Sequence, residues 1–288
     1  MSTLAPATIR WLAPAKLNLF LHITGRRADG YHELQTLFQL LNFGDQLSFQ
    51  LTDDPGLSLH LRPDSTIRNL PLDHNLIIQA AKLLQKQSGR RLSARIEVSK
   101  HIPLGAGLGG GSSDAATTLM ALNRLWELNL CQTQLAELGL QLGADVPVFL
   151  LGKSAWAEGV GERLEPVSLP DAWYVVIMPT CQVSTAEIFA QEHLTRNTTA
   201  IKMADFLAGG SRNDCESVTC GLYPKVEKAL NWLGQYAPAR MTGTGAAVFA
   251  RFENESEARA VLAALPAAEH GFIAQGINSS LEPELHDD

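Results

Sequence analysis

Basic residues are outnumbered in this 288-residue chain, 23 Lys and Arg against 30 Asp and Glu, for a net charge of −7. That balance excludes a general nucleic-acid binder while leaving room for one local basic pocket, so the expected partner is a small molecule. Cysteine is scarce too. Cys131, Cys181, Cys215 and Cys220 form no C-x-x-C pair, which excludes a zinc-ribbon site and a disulfide framework and fits a reducing cytoplasm. No run of apolar residues is long enough to span a bilayer. The only apolar run before Lys16, Trp11 to Ala15, is interrupted by Pro14, so no signal-peptide core is expected. No internal repeat or low-complexity tract occurs, and no membrane partner is expected.

Glycine is abundant in one place. Pro103-Leu104-Gly105-Ala106-Gly107-Leu108-Gly109-Gly110-Gly111-Ser112-Ser113 joins a strand-like run to a helix-like one. Glycines let successive N–H groups turn inward with no Cβ in the way, and Ser112 or Ser113 is placed to cap a helix whose first amides attract anions. The loop therefore reads as a cradle for nucleotide phosphates. Gly105-x-Gly107-x-x-Gly110 also satisfies the dinucleotide-binding pattern, but a helix end near Leu130 and a new helix from Gln132 to Leu142 leave no second strand to close that unit. Gly152-Lys153-Ser154 ends like a P-loop, yet Pro147 stands at the position of its first glycine. A purely structural use of the glycines is the remaining alternative.

From Ala15 to Ile23 apolar residues hold the odd positions, predicting a strand with one buried face and with Lys16 and Asn18 on the other. Further strands are expected at Leu37 to Leu51, Leu57 to Leu61 and Ser93 to Val98, and a helix at Asn75 to Gln87. Ala115, Leu119 and Leu122 recur at helical spacing after the glycine loop. Between Glu162 and Pro170 the pattern loosens into a linker. The second half reads as helices at Ser184 to Gln191, Ile201 to Leu207, Pro224 to Leu233 and Glu255 to Leu265, with strands at Trp173 to Met178, Ala239 to Met241, Ala246 to Phe252 and Phe272 to Ile277. The irregular alternation indicates an α+β fold, with domains at 1–164 and 165–288. Between two of those strands lies a second glycine turn, Thr242-Gly243-Thr244-Gly245. On its own it reads equally well as a tight hairpin.

Pro14-Ala15-Lys16-Leu17-Asn18-Leu19, the glycine-serine loop and Met241-Thr242-Gly243-Thr244-Gly245, in that order, resemble the GHMP superfamily of small-molecule kinases. Asp29-Gly30-Tyr31-His32-Glu33-Leu34-Gln35-Thr36, Gly143-Ala144-Asp145-Val146-Pro147 and Arg212-Asn213-Asp214-Cys215-Glu216 narrow the resemblance to the branch acting on 4-diphosphocytidyl-2-C-methyl-D-erythritol. The resemblance implies two domains with the active site in the cleft between them, ATP with Mg²⁺, and transfer of the γ-phosphoryl group to a tertiary hydroxyl in non-mevalonate isoprenoid synthesis.

Residue by residue, the resemblance implies that Asp145 accepts the proton or orients the hydroxyl, with Lys16 beside it. It further implies that residues 103–113 wrap the ATP phosphates, and that Asn75 and Lys100 approach adenine. Asn18, Gly243, Thr244 and Gly245 would contact substrate, and the cytosine would lie between Tyr31 and Phe189 with His32 at its edge. Without the resemblance, Asp145 reads as a helix cap, Lys16 as a solvated strand residue and Phe189 as core. No protein ligand for a metal is assigned. A sister kinase activity, a dinucleotide-dependent oxidoreductase and a non-catalytic nucleotide binder are the competing readings.

Overall fold

A computed structural model describes residues 8–70, 74–280 and 284–286. The chain runs β1 (Thr8–Arg26), β2 (His32–Gln50), β3 (Leu57–Leu61), α1 (Leu76–Ser88), β4 (Ala94–Ser99), α2 (Gly110–Leu125), α3 (Gln132–Leu142) and α4 (Val146–Leu151). It continues through β5 (Ala155–Gly159), β6 (Arg163–Pro166), β7 (Trp173–Met178), α5 (Thr185–Ala190), α6 (Met203–Leu207), α7 (Glu216–Leu222) and α8 (Pro224–Leu233). The last elements are β8 (Ala239–Met241), β9 (Val248–Phe252), α9 (Glu255–Ala263), β10 (His270–Ile277) and β11 (Glu284–His286). The α+β class is as expected. No described helix is long and apolar enough to cross a membrane.

The frame is the antiparallel hairpin of β1 and β2, each 19 residues long. Sequence alternation predicts one buried face for β1, but the structure buries both. Leu17 and Ile23 are fully buried on one side, and Lys16, Asn18, Phe20 and His22 are buried as well. The polar side is covered because the glycine loop and the late turn pack over it: the Lys16 amide donates to the Leu108 carbonyl and the Asn18 amide to Thr242 Oγ1. A polar residue in such a place needs partners, and the site described below supplies them.

Three apolar clusters fill the molecule. One joins α1, α2, α4 and the sheet of β2, β4 and β5, including Ile77, Leu84, Ile96, Leu119 and Leu122. A second lies under β7, β9 and α8, and takes Leu21 and Ile23 from β1. The third, with Leu17, Phe20, Leu41, Tyr174, Val176 and Phe249, spans both halves of the chain. The expected linker is partly structured: β6 pairs with β5 as Ala155↔Pro166 and Glu158↔Arg163, so a strand of the first sheet crosses the 164/165 boundary. Sequence pattern misses β5, β6, α4 and α7 because each is short, at 4–7 residues, too few to show a period.

The two sheets meet where Leu40 and Leu41 of β2 pair with Ile277 and Gly276 of β10. A buried polar knot holds this join. Gln39 Nε2 donates to the carbonyls of Leu40 and Ile277 and to Ser154 Oγ, while Ser154 Oγ accepts from the Leu40 amide and donates to the Ile277 carbonyl. Removing the hydroxyl leaves the buried Leu40 N–H without its acceptor. Ser154→Ala is expected to cost ~1–3 kcal/mol, seen as a lower urea midpoint with an unchanged slope.

Candidate active site

The glycine loop is anchored on both flanks. Besides the Lys16 to Leu108 bond, the Ala247 amide donates to the Ala106 carbonyl. Gly107 has φ +75, and a Cβ there would lie 2.5 Å from the Thr242 carbonyl oxygen and 2.9 Å from that of Gly245. The two glycine turns are therefore in backbone contact, which only a residue without a side chain permits. Ala106 is not among the described residues of positive φ, so its methyl group is tolerated. Leu104, Gly105 and Gly111 are exposed.

The helix is not capped by serine. Its N-cap is Gly109, at φ +75, ψ 15, and Ser112 and Ser113 lie inside the first turn. The first intrahelical bond runs from the Ser113 amide to the Gly109 carbonyl. Glycine takes the cap because a Cβ at position 109 would sit 2.7 Å from the Phe149 ring and 3.1 Å from Lys16 Cε. The amides of Gly110, Gly111 and Ser112 precede the first possible intrahelical acceptor and are available to an anion, with the helix dipole behind them.

Beside this helix start, Lys16 Nζ lies 3.2 Å from Asp145 Oδ2 and donates to Asn18 Oδ1 at 2.6 Å. The ammonium is 3% exposed and the carboxylate 36%, so the acid faces outward from a buried base. Asp145 does occupy the N-cap position of α4, but its side chain makes no capping bond; the ion pair replaces it. Gly143, two residues earlier, packs next to Ser112 Oγ, with its absent Cβ 3.7 Å away. Lys16, Asp145 and the amides of α2 thus converge on one spot.

Asn18 is not open to a ligand as expected. Its Nδ2 donates to Thr36 Oγ1 at 2.9 Å, and Thr36 in turn donates to the Phe20 carbonyl. That chain fixes which end of the amide faces Lys16, so Asn18 acts as the lysine's support. Thr36 and Thr242 were the supports that sequence pattern missed. The strand pairing of Asn18 with Phe38 places Thr36 within reach, but only after the bulge between Asn18 and Leu21 is known.

In the late turn, Gly243 faces Gly107 and Asn18 Oδ1, at 3.4 and 3.6 Å from its absent Cβ. Gly245 is buried against Met241, Thr219 and Val183 and is a packing position, in place of the expected substrate contact. Thr244 is likewise turned away, its hydroxyl bonded to Thr185 Oγ1 at 3.0 Å. The turn does close a hairpin between β8 and β9, as one sequence reading has it, and it also packs on the glycine loop through Gly243 and Gly107. Asn213 Nδ2, donating to the carbonyls of Met241 and Gly243, pins it.

Asn75, Leu76, Lys100, Leu104 and Gly111 line a cavity of about 180 Å³ at the mouth of the glycine loop. Asn75 also caps α1, accepting from the Ile77 amide. Lys100 does not offer a free ammonium to a ligand. It is 2% exposed and bound between Asp45 and Asp114. Asp45 accepts in addition from the His101 and Ile102 amides, whereas Asp114 Oδ1 has no hydrogen-bond partner among the described residues. Burial pushes Asp114 up to about 8, against the pull of Lys100 and with the help of Asp45. Burial works against the Lys100 charge, but Asp114 and Asp45 together hold its pKa above the ordinary value.

At the tip of the β1–β2 hairpin, Tyr31 is 64% exposed. His32 lies on Phe189, ring centroids 4.8 Å apart and 20° from parallel. The expected Tyr31–Phe189 sandwich is therefore altered, since the imidazole already covers one face of Phe189. Arg196, which sequence pattern did not single out, donates from Nε to His32 Nε2 at 3.1 Å. Burial lowers the His32 pKa, with Arg196 and Arg26 adding to the effect.

Two family profiles match the chain, GHMP kinases N terminal domain over residues 75–153 and GHMP kinases C terminal over residues 196–270. The 4-diphosphocytidyl-2-C-methyl-D-erythritol kinase of Nitrosococcus oceani is 53% identical over 271 residues, covering 94% of this chain and 95% of that protein. The one from Alkalilimnicola ehrlichii is 55% identical over 270 residues, covering 94% and 91%. A crystal structure of a 4-(cytidine 5'-diphospho)-2C-methyl-D-erythritol kinase superposes with TM-score 0.78 at 34% identity, covering 93% of this chain and 98% of that one. The mevalonate kinase of Methanococcus jannaschii, at TM-score 0.68 and 16% identity over 96% and 100% of the two chains, shares the fold.

Two outcomes are expected from this geometry. Gly107→Ala should raise the KM for the nucleotide in steady-state assays, because the new methyl group forces the two turns apart. For Asp114 the folded pKa is raised, so its favourable contribution is complete below about pH 4 and is lost as pH rises through about 8. Thermal melts from pH 6 to 9 should therefore fall more steeply for the wild type than for Asp114→Asn.

Proposed function

From a chain that belongs to the GHMP kinases, and within them to the 4-diphosphocytidyl-2-C-methyl-D-erythritol kinase family, we propose an assignment of roles to the residues just described. The enzyme phosphorylates 4-diphosphocytidyl-2-C-methyl-D-erythritol with ATP, in the non-mevalonate route to isoprenoid precursors. Residues 103–113 cradle the ATP phosphates, chiefly through the amides of Gly110, Gly111 and Ser112. Asn75 and the wall containing Lys100 receive adenine. The observation that carries this reading is the Lys16–Asp145 ion pair beside the open amides of α2.

The donor set at the cradle is amides and hydroxyls, and the described residues hold no group of three or more His, Cys, Asp or Glu able to bind an ion. Mg²⁺ in this reading would be held by the phosphates of the nucleotide in the cradle of residues 103–113, and would supply neutralisation of phosphate charge there. An ammonium has three donors. One of Lys16's goes to Asp145 and one to Asn18, which leaves the third for the acceptor oxygen or the γ-phosphoryl group.

As the acceptor hydroxyl attacks, its O–H bond breaks toward Asp145, the O–P bond forms, and the bond from Pγ to the bridging oxygen breaks to release ADP. Asp145 receives the proton, and the Lys16 ammonium beside it offsets charge on the forming alkoxide. The cytosine is held by Tyr31, His32 and Phe189 at the hairpin tip. That pocket follows Arg26 at the end of β1, whereas the cradle meets β1 at Lys16, near its middle, and the stretch of strand between them sets the reach the substrate needs.

Asp145→Asn keeps the shape and removes the proton acceptor. Its kcat should fall by ~10²–10⁴ while the KM for ATP stays within about threefold, measured as ADP release with the cytidylylated substrate. Near-normal kcat in the folded variant would remove Asp145 from the chemistry.

A further inference from the structure

We propose that Arg196 fixes the tautomer of His32, so that a neutral imidazole presents Nδ1–H to the pyrimidine and admits cytidine in preference to uridine. This rests on the reading of Tyr31, His32 and Phe189 as the base pocket.

The Arg196 guanidinium is locked at the C-terminal end of α5. Nη2 donates to the carbonyls of Phe189 and Gln191, at 3.0 and 2.6 Å, and Nη1 to those of Leu194 and Glu192, at 3.1 and 3.4 Å. These carbonyls belong to the last turn of the helix and the residues beyond it, where a cation is favoured. The guanidinium has one further donor, Nε, and it points at His32 Nε2. Arginine carries donors only and does not lose its proton. His32 Nε2 must therefore offer a lone pair, which places the ring proton on Nδ1.

Two more observations hold that state. The stack on Phe189 fixes the ring plane. Burial, followed by the charges of Arg196 and Arg26, disfavours the imidazolium, so the ring is neutral at pH 7. Among the described residues no hydrogen bond occupies Nδ1. A fixed N–H donor suits cytosine, whose N3 is an acceptor, and opposes uracil, whose N3 carries a hydrogen. A site built around one donor rejects a base that places a donor opposite it. Arg196 touches no substrate in this scheme. It is a positioning residue.

The test compares kcat/KM for the cytidylylated substrate and its uridine counterpart in wild type, Arg196→Met and Arg196→Lys. At pH 8 the cytidine-to-uridine ratio should fall by about tenfold or more in Arg196→Met, because the freed imidazole can move its proton to Nε2 and accept from uracil. It should recover as pH drops below 6.5, because burial and Arg26 still hold the ring's pKa under that value in the variant and the imidazolium, once formed, has N–H on both nitrogens. Arg196→Lys, which retains a cationic donor, should keep more of the ratio than Arg196→Met.

An unchanged ratio at pH 8, or a loss that acidification does not reverse, would overturn the proposal. A ¹⁵N spectrum of wild-type imidazoles decides it without any variant: a protonated Nδ1 with a lone-pair Nε2 at His32 supports it, and a protonated Nε2 sinks it. Failure of the pocket reading itself looks different. Wild type would then turn over methylerythritol phosphate lacking cytidine as well as the full substrate.

Discussion

A lysine charge held out of water is the constraint on which the site depends. Lys16 keeps 3% of its surface exposed, and an ammonium so placed needs fixed acceptors for its donors in place of water. Asp145 supplies one and Asn18 the other. Asn18 can do so only while Thr36 takes its amide nitrogen and Thr242 its backbone N–H. The requirement thus propagates from one side chain to both strands of the hairpin and across to the far half of the chain. What looks like a list of catalytic residues is one polar chain with a buried charge at its centre.

Covering that charge requires backbone to come closer than side chains allow. The glycine loop and the late turn solve this together, with Gly107 seated under the carbonyls of Thr242 and Gly245. The same packing leaves the start of α2 uncapped by any side chain and its first amides free. The tight approach and the anion site have one origin: a loop that gives up side chains for backbone contact gives up its own cap as well.

Much of this is legible in the residues. Period-two alternation places β1, the glycine density marks the loop, and the order of three motifs identifies the fold. Individual contacts are less readable for identifiable reasons. Ser112 and Ser113 have the right chemistry for a cap, but steric contact of position 109 with Phe149 and Lys16 shifts the helix start to Gly109. Asn18 has the right side chain for a ligand contact, and a β-bulge turns it toward Thr36 instead. The resemblance puts the Lys100 side chain beside adenine, yet Asp45, 55 residues earlier, and Asp114 absorb its charge. Arg196 carries no motif at all. Its importance appears only when the end of α5 and the hairpin tip are placed side by side.

The long hairpin has a consequence for how such an enzyme can change over evolutionary time. Leu21 and Ile23, early in the chain, are walls of the core built by β7, β9 and α8, while β6 carries the first sheet past residue 164. Neither half of the sequence contains a complete interior. Recombination that exchanged everything after residue 165 between two relatives would join one parent's core wall to the other's contents, including the Leu21–Asn213 bridge that ties them. New acceptor specificity is therefore expected to arise by substitution at the hairpin tip and the α5 end, within an inherited whole, and not by shuffling of parts.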